Sequence, residues 1–240
     1  MGRHCRSAAA NPRGRSLNTD LPFSQTWREE LANAASHGLG CVLALAAMPV
    51  LAEQVQADQH PIRQLGVTVF ITSMVLMYLV SAVYHALPVG QAKRWLRKCD
   101  HAVIFIFIAG SYTPFSMLGL SEETGRTVLV TMWVAAIVLG LSKMIGLRMP
   151  RWLMSLSYVA MGWFAAWSMP EASVALGTVG TVLLVVGGVL YTVGAVIFWR
   201  KAPNPVPGWF GYHEVFHLLV IAAGLVHFIA VAGLVFKPAG

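Results

Sequence analysis

HEVFHLLVIAAGLVHFIAVAGLVF, residues 213–236, decides the fold class. Apart from three histidines and one glutamate, all of these 24 residues are apolar. A helix that crosses a bilayer needs about 20 such residues in a row. Six comparable runs precede it: Glu30–Leu51, Gln64–Leu87, His101–Leu118, Thr127–Gly146, Trp152–Met169 and Ala175–Trp199. Short connections between them carry most of the charge. The whole chain of 240 residues is 57% hydrophobic and only 11% charged, with a mean hydropathy of +0.65. A water-soluble domain of this length has too little interior to hide that much apolar surface. The reading is an all-α membrane protein, a bundle of seven transmembrane helices over residues 26–240. Residues 1–25, rich in Arg, Ser, Ala and Pro, read as a flexible basic tail.

The net charge of +7 would prompt a search for nucleic-acid contacts in a soluble protein. Here its distribution points to the bilayer instead. Fourteen basic residues fall on one side of the alternating crossings: Arg3, Arg6, Arg13, Arg15, Arg28, Lys93, Arg94, Arg97, Lys98, Lys143, Arg148, Arg151, Arg200 and Lys201. Arg63, Arg126 and Lys237 fall on the other. Positive charge stays inside, so the N-terminus is expected in the cytoplasm and the C-terminus outside. Five of the eight tryptophans, Trp27, Trp95, Trp152, Trp199 and Trp209, share the cytoplasmic level as an interfacial belt would. Cys5, Cys41 and Cys99 form no metal-binding spacing and no disulfide framework. Gly180, Gly187 and Gly194 recur every seven residues and read as a helix-packing stripe.

Ionisable residues inside a membrane are costly, which makes each a functional candidate. His37 shares a face of the first span with Glu30 and Asn33. Ser81 and His85, four apart, close the second span; Asp100 and His101 open the third; His213, Glu214 and His217 open the seventh. The alternating topology brings all of these to the cytoplasmic end. Two imidazoles at i and i+4 can share an ion, as on zinc-binding helices, and a third, from His85, leaves the fourth position for water. Such a site supplies hydroxide near neutral pH. Asp100 suits proton transfer and Ser81 suits hydrogen bonding to water or to a carbonyl. Simpler roles fit equally: Asp100 as a carboxylate at a helix N-terminus, Ser81 as a hydroxyl bonded to its own helix. Glu30, Asn33 and His37 read as a polar network behind the ligands. Glu214 reads as a helix-terminal charge facing the interface, His101 as an interfacial neighbour and His227, deeper in, as a packing contact.

EELANAASHGLG (Glu29–Gly40), SAVYHAL (Ser81–Leu87), CDHAVIFIFIAGSYTPF (Cys99–Phe115) and HEVFHLLVIAAGLVHFIAV (His213–Val231) together resemble the hemolysin III family. This is the bacterial branch of the superfamily that includes adiponectin and progestin receptors. The resemblance covers everything after about residue 25. It implies zinc held by His85, His213 and His217, with Ser81 and Asp100 around the zinc-bound water and Glu30, Asn33 and His37 as the first-helix motif. It further implies a multi-pass protein of the bacterial cytoplasmic (inner) membrane, and the receptor relatives suggest hydrolysis of a membrane lipid amide such as ceramide. The alternative is a non-catalytic membrane-homeostasis sensor or a pore-forming, haemolytic factor whose metal only ties helices together.

Overall fold

A computed structural model describes residues 25–58 and 61–236. Residues 1–24 of the basic tail and Lys237 lie outside the described residues. Everything described is helical or connecting, apart from one isolated bridge between Val206 and Phe210. The helices are α1 (Trp27–Asp58), α2 (Pro61–Ala86), α3 (Gln91–Leu118), α4 (Glu122–Met144), α5 (Arg151–Trp163), α6 (Met169–Arg200) and α7 (Tyr212–Val235). Among the described residues, six helical segments are long and apolar enough to cross a membrane. One of these is the 50-residue stretch Arg151–Arg200.

That stretch is not straight. A 3₁₀ turn over Phe164–Ser168 joins α5 to α6, and Gly177 interrupts α6 at φ 68°, ψ 178°. Side-chain residues are essentially excluded from that backbone region. The sequence reading placed the connection at Pro170–Val174, but those residues are helical. Pro170 occupies the first turn of α6, where a missing N–H and a fixed φ start a helix rather than end one. The indole of Trp163 donates to Thr192 Oγ1 at 2.9 Å, and the Arg151 guanidinium lies 5.6 Å from the centre of the Phe198 ring. Arg151–Ser168 therefore runs back along the second half of α6.

The third helix also differs from its expected span. Hydropathy starts it at His101, yet α3 begins at Gln91, because Ala92, Lys93, Leu96 and Arg97 are good helix formers and no breaker intervenes. α3 is buried on opposite faces. Val103 and Phe107 join α1, α2, α6 and α7 in one core with Phe70, Met74, Val220 and Val231. Phe105 and Ala109 join α4 and α5 in another with Val128, Met132 and Met161. Large aliphatic side chains point outward instead, among them Leu39, Val42, Val134, Ile137, Val138 and Val182, as lipid-facing surfaces require. The five tryptophans of the expected belt are all exposed.

The packing brings the start of α1, the end of α2, the start of α3 and the start of α7 to one end of the bundle. The α6–α7 connection closes over it: Thr26 donates to the Gly208 carbonyl at 2.8 Å, and the Arg28 guanidinium sits 3.7 Å from the centre of the Trp209 ring.

Candidate metal centre

α2 ends as an apolar helix whose last turn carries His85, and α7 opens with His213 and His217 one turn apart on one face. Their packing brings the three rings together. His85 lies 5.1 Å from His213 and 5.0 Å from His217 between ring centres, and His213 lies 4.7 Å from His217. One ligand nitrogen from each ring falls within 4.8 Å of the other two. Zinc–nitrogen bonds of about 2.0–2.1 Å in a tetrahedron put ligand nitrogens about 3.3 Å apart. Small ring rotations close that difference, so the three histidines lie near enough to bind one metal ion.

Two hydrogen bonds prepare the rings for a metal. His85 Nδ1 lies 2.8 Å from Glu30 Oε2, while its Nε2 is buried with no protein partner among the described residues. A carboxylate behind one nitrogen orients the ring and leaves the other as a ligand. His217 Nδ1 lies 3.4 Å from Ser36 Oγ, and that hydroxyl donates onward to the Asn33 carbonyl at 3.0 Å. The arrangement makes His217 Nδ1 the donor and frees its Nε2. The donor set, three imidazoles without cysteine, suits zinc and other imidazole-binding divalent ions.

The polar network of the first span separates into three parts. Glu30 serves His85. Asn33, fully buried, donates its side-chain amide to Glu214 Oε1 at 2.5 Å. His37 stacks on His217 with 3.6 Å between ring centres and 10° between planes; neither of its nitrogens has a protein partner among the described residues.

Ser81 and Asp100 are both buried, lie within hydrogen-bonding reach of each other, and line one cavity with His213 and His217. Asp100 lies well inside α3, so the helix N-terminal role no longer applies to it. The cavity has a volume of about 170 Å³ and runs between α2, α3, α5, α6 and α7. Its walls beyond the histidines are largely apolar, with Ile104, Phe107, Val159, Leu184 and Val220 among them.

Two residues depart from the sequence reading. Glu214 does not face the interface: it is 2% exposed, and its Oε2 accepts the Gly211 N–H at 2.6 Å. A helix N-terminus leaves unpaired N–H groups, and this carboxylate turns inward to meet one. Lys93, counted above as a loop charge, is also 2% exposed. Its ammonium lies 2.9 Å from Glu30 Oε2, the same oxygen that His85 meets, and donates to the Leu87 carbonyl at 3.0 Å. A buried ammonium needs such partners. The signal was its seven-residue spacing from Asp100, which puts both on one face once α3 is known to begin at Gln91. Ser36 carried no signal beyond its place beside His37. His227 is the packing contact expected, with Nε2 3.2 Å from the Leu184 carbonyl.

The family model described as haemolysin-III related matches residues 25–228. The chain belongs to the haemolysin-III-related family. It is 33% identical over 212 residues to Hemolysin-3 of Bacillus cereus, covering 87% of this chain and 93% of that protein. A Hemolysin-3 homolog of Bacillus subtilis (strain 168) is 31% identical over 207 residues, covering 86% and 94%. The match spans all four helix ends that build the histidine cluster, so the resemblance drawn from the motifs holds over most of this haemolysin-III-related chain.

Glu30 tests the metal reading of this end of the bundle. Glu30→Gln keeps the shape of the side chain but removes its charge beside Lys93 and His85. Zinc binding is expected to weaken by about 10–100-fold, as when other carboxylates behind a metal-binding histidine are altered. Competition against a chelating dye measures the change; an unaltered affinity would contradict this role.

Proposed function

We propose that this chain is a zinc-dependent hydrolase of a membrane lipid amide, ceramide-like in chemistry. The carrying observation is the juxtaposition of three convergent imidazoles with a buried Asp100–Ser81 pair on the wall of a largely apolar cavity. His85, His213 and His217 would hold the ion. Zinc in such a site acts as a Lewis acid and lowers the pKa of its water to about 7. Asp100 accepts a proton from the attacking water at its carboxylate and returns it to the leaving amine as the C–N bond breaks. Ser81 hydrogen-bonds the water or the amide carbonyl. The apolar cavity takes the acyl chain, which sets the amide beside the histidines.

The chain crosses the membrane seven times on this reading, with the stretches before and after Gly177, α5 plus the first turns of α6 and the rest of α6, as separate passes. Its N-terminus is cytoplasmic and its C-terminus outside, in the bacterial cytoplasmic membrane, and residues 1–25 form a basic tail on the inner side. Purified protein is expected to contain one zinc per chain and to release fatty acid from a lipid-amide panel. Stoichiometric zinc without turnover on any lipid class would overturn the enzymatic reading.

The names of the two Bacillus relatives favour a second reading, a lytic protein. A conducting pore needs a polar or charged lining, and this cavity is lined mainly by aliphatic and aromatic side chains. Leakage from liposomes containing the purified protein would favour the lytic reading.

A further inference from the structure

The cavity carries a second group of polar atoms that the hydrolytic reading does not use. His227 lies ten residues beyond His217 on α7, about 15 Å along the helix, or half of a hydrocarbon core about 30 Å thick. It is 9% exposed and lines the cavity together with Tyr191. Its Nε2 faces the Leu184 carbonyl at 3.2 Å. A carbonyl only accepts, so Nε2 carries the proton and Nδ1 is left as an acceptor. That Nδ1 has no protein partner among the described residues, nor has the hydroxyl of Tyr191. The two rings meet edge to face at 5.4 Å.

The position is built rather than incidental. Gly187 faces the His227 imidazole so closely that any β-carbon there would overlap the ring. Gly187, the middle glycine of the α6 stripe, thus makes room for a histidine deep in the membrane. Unpaired polar groups in hydrocarbon are costly, and a fatty-acyl chain alone would leave both of these unpaired.

We propose that Tyr191 and His227 form a subsite for the hydroxyl of a lipid chain hydroxylated far from its headgroup. This rests on the reading that the cavity takes a lipid chain. A hydroxyl donates to His227 Nδ1 and accepts from the Tyr191 O–H, which pairs both atoms. A keto group accepts from Tyr191 but leaves Nδ1 unpaired. A carboxylate does the same and adds a buried charge. The hydroxyl is the substituent that satisfies the acceptor and the phenol together.

The test is displacement of a fluorescent fatty amide from the purified full chain in detergent. The competitors are stearoyl ethanolamide and its analogue hydroxylated at the twelfth carbon. Wild-type protein is expected to bind the hydroxylated chain about tenfold more tightly, the effect of pairing buried polar groups. Tyr191→Phe and His227→Leu should each reduce the preference to about twofold or less, with zinc content unchanged and the plain chain bound more tightly, because the apolar side chain leaves no polar atom unpaired against it. Tyr191→Phe keeps the ring, so it carries the test if His227→Leu fails to fold. Equal binding of both chains to wild type overturns the subsite and leaves the lipid-binding cavity standing. Failure of both chains to displace the probe overturns the two together.

Discussion

His217→Ala is expected to strip the protein of its metal, because each imidazole supplies a large share of the binding free energy. Zinc sites with four protein ligands bind with about 10–16 kcal/mol, or about 3 kcal/mol per ligand, so loss of one weakens binding at least about a hundredfold. Dialysis against a mild chelator should leave the wild type with one zinc per chain and His217→Ala with nearly none. His85→Ala and His213→Ala should behave alike, since the three rings stand at similar separations. His37→Ala is the informative control. His37 stacks on His217 but lies outside the group whose ligand atoms converge, so its loss should leave zinc content stoichiometric. Equal metal loss in His37→Ala, or full retention in His217→Ala, would refute the assignment of ligands.

Asp100→Asn should separate catalysis from metal binding. The substitution keeps the size of the side chain and its capacity to hydrogen-bond Ser81, but removes the carboxylate that takes a proton. General acid–base groups contribute about 10²–10⁴-fold. Lipid-amide turnover is therefore expected to fall by that amount while zinc content stays at the wild-type level. If the metal only ties helices together, Asp100→Asn leaves activity untouched, and that outcome would favour the structural role. The comparison needs both readouts on one preparation, since a general loss of fold would lower both.

Much of the site was legible from residue types and spacing. His213 and His217 sit one turn apart, which on any helix sets them on one face. His85 and Asp100 reach the same end because short connections force consecutive spans to alternate in direction. The separate jobs within the first-helix motif were not legible. Glu30, Asn33 and His37 share a face at spacings of three and four, and their different partners depend on which helix packs opposite each. Lys93 was hidden for a related reason. A lysine in a connection has the composition of a solvated charge, and only the early start of α3 and its contact with α1 turn it inward onto Glu30. Glu214 was misread in the same way, because a carboxylate at a helix start is equally at home facing water or facing an asparagine on a neighbouring helix.

Apolar runs long enough to span a bilayer, separated by short charged connections, determine by themselves that this chain is a membrane-embedded helical bundle. No tertiary information is needed, because backbone polar groups in hydrocarbon must be paired within a helix or a closed barrel, and these runs have helical length. Lateral packing decided the rest: which nitrogens converge, which carboxylate stands behind which ring, where α6 breaks, and that a glycine on α6 seats His227. Those outcomes depend on how helices rotate and approach one another. Periodicity along one helix records which residues share a face, but not what that face meets.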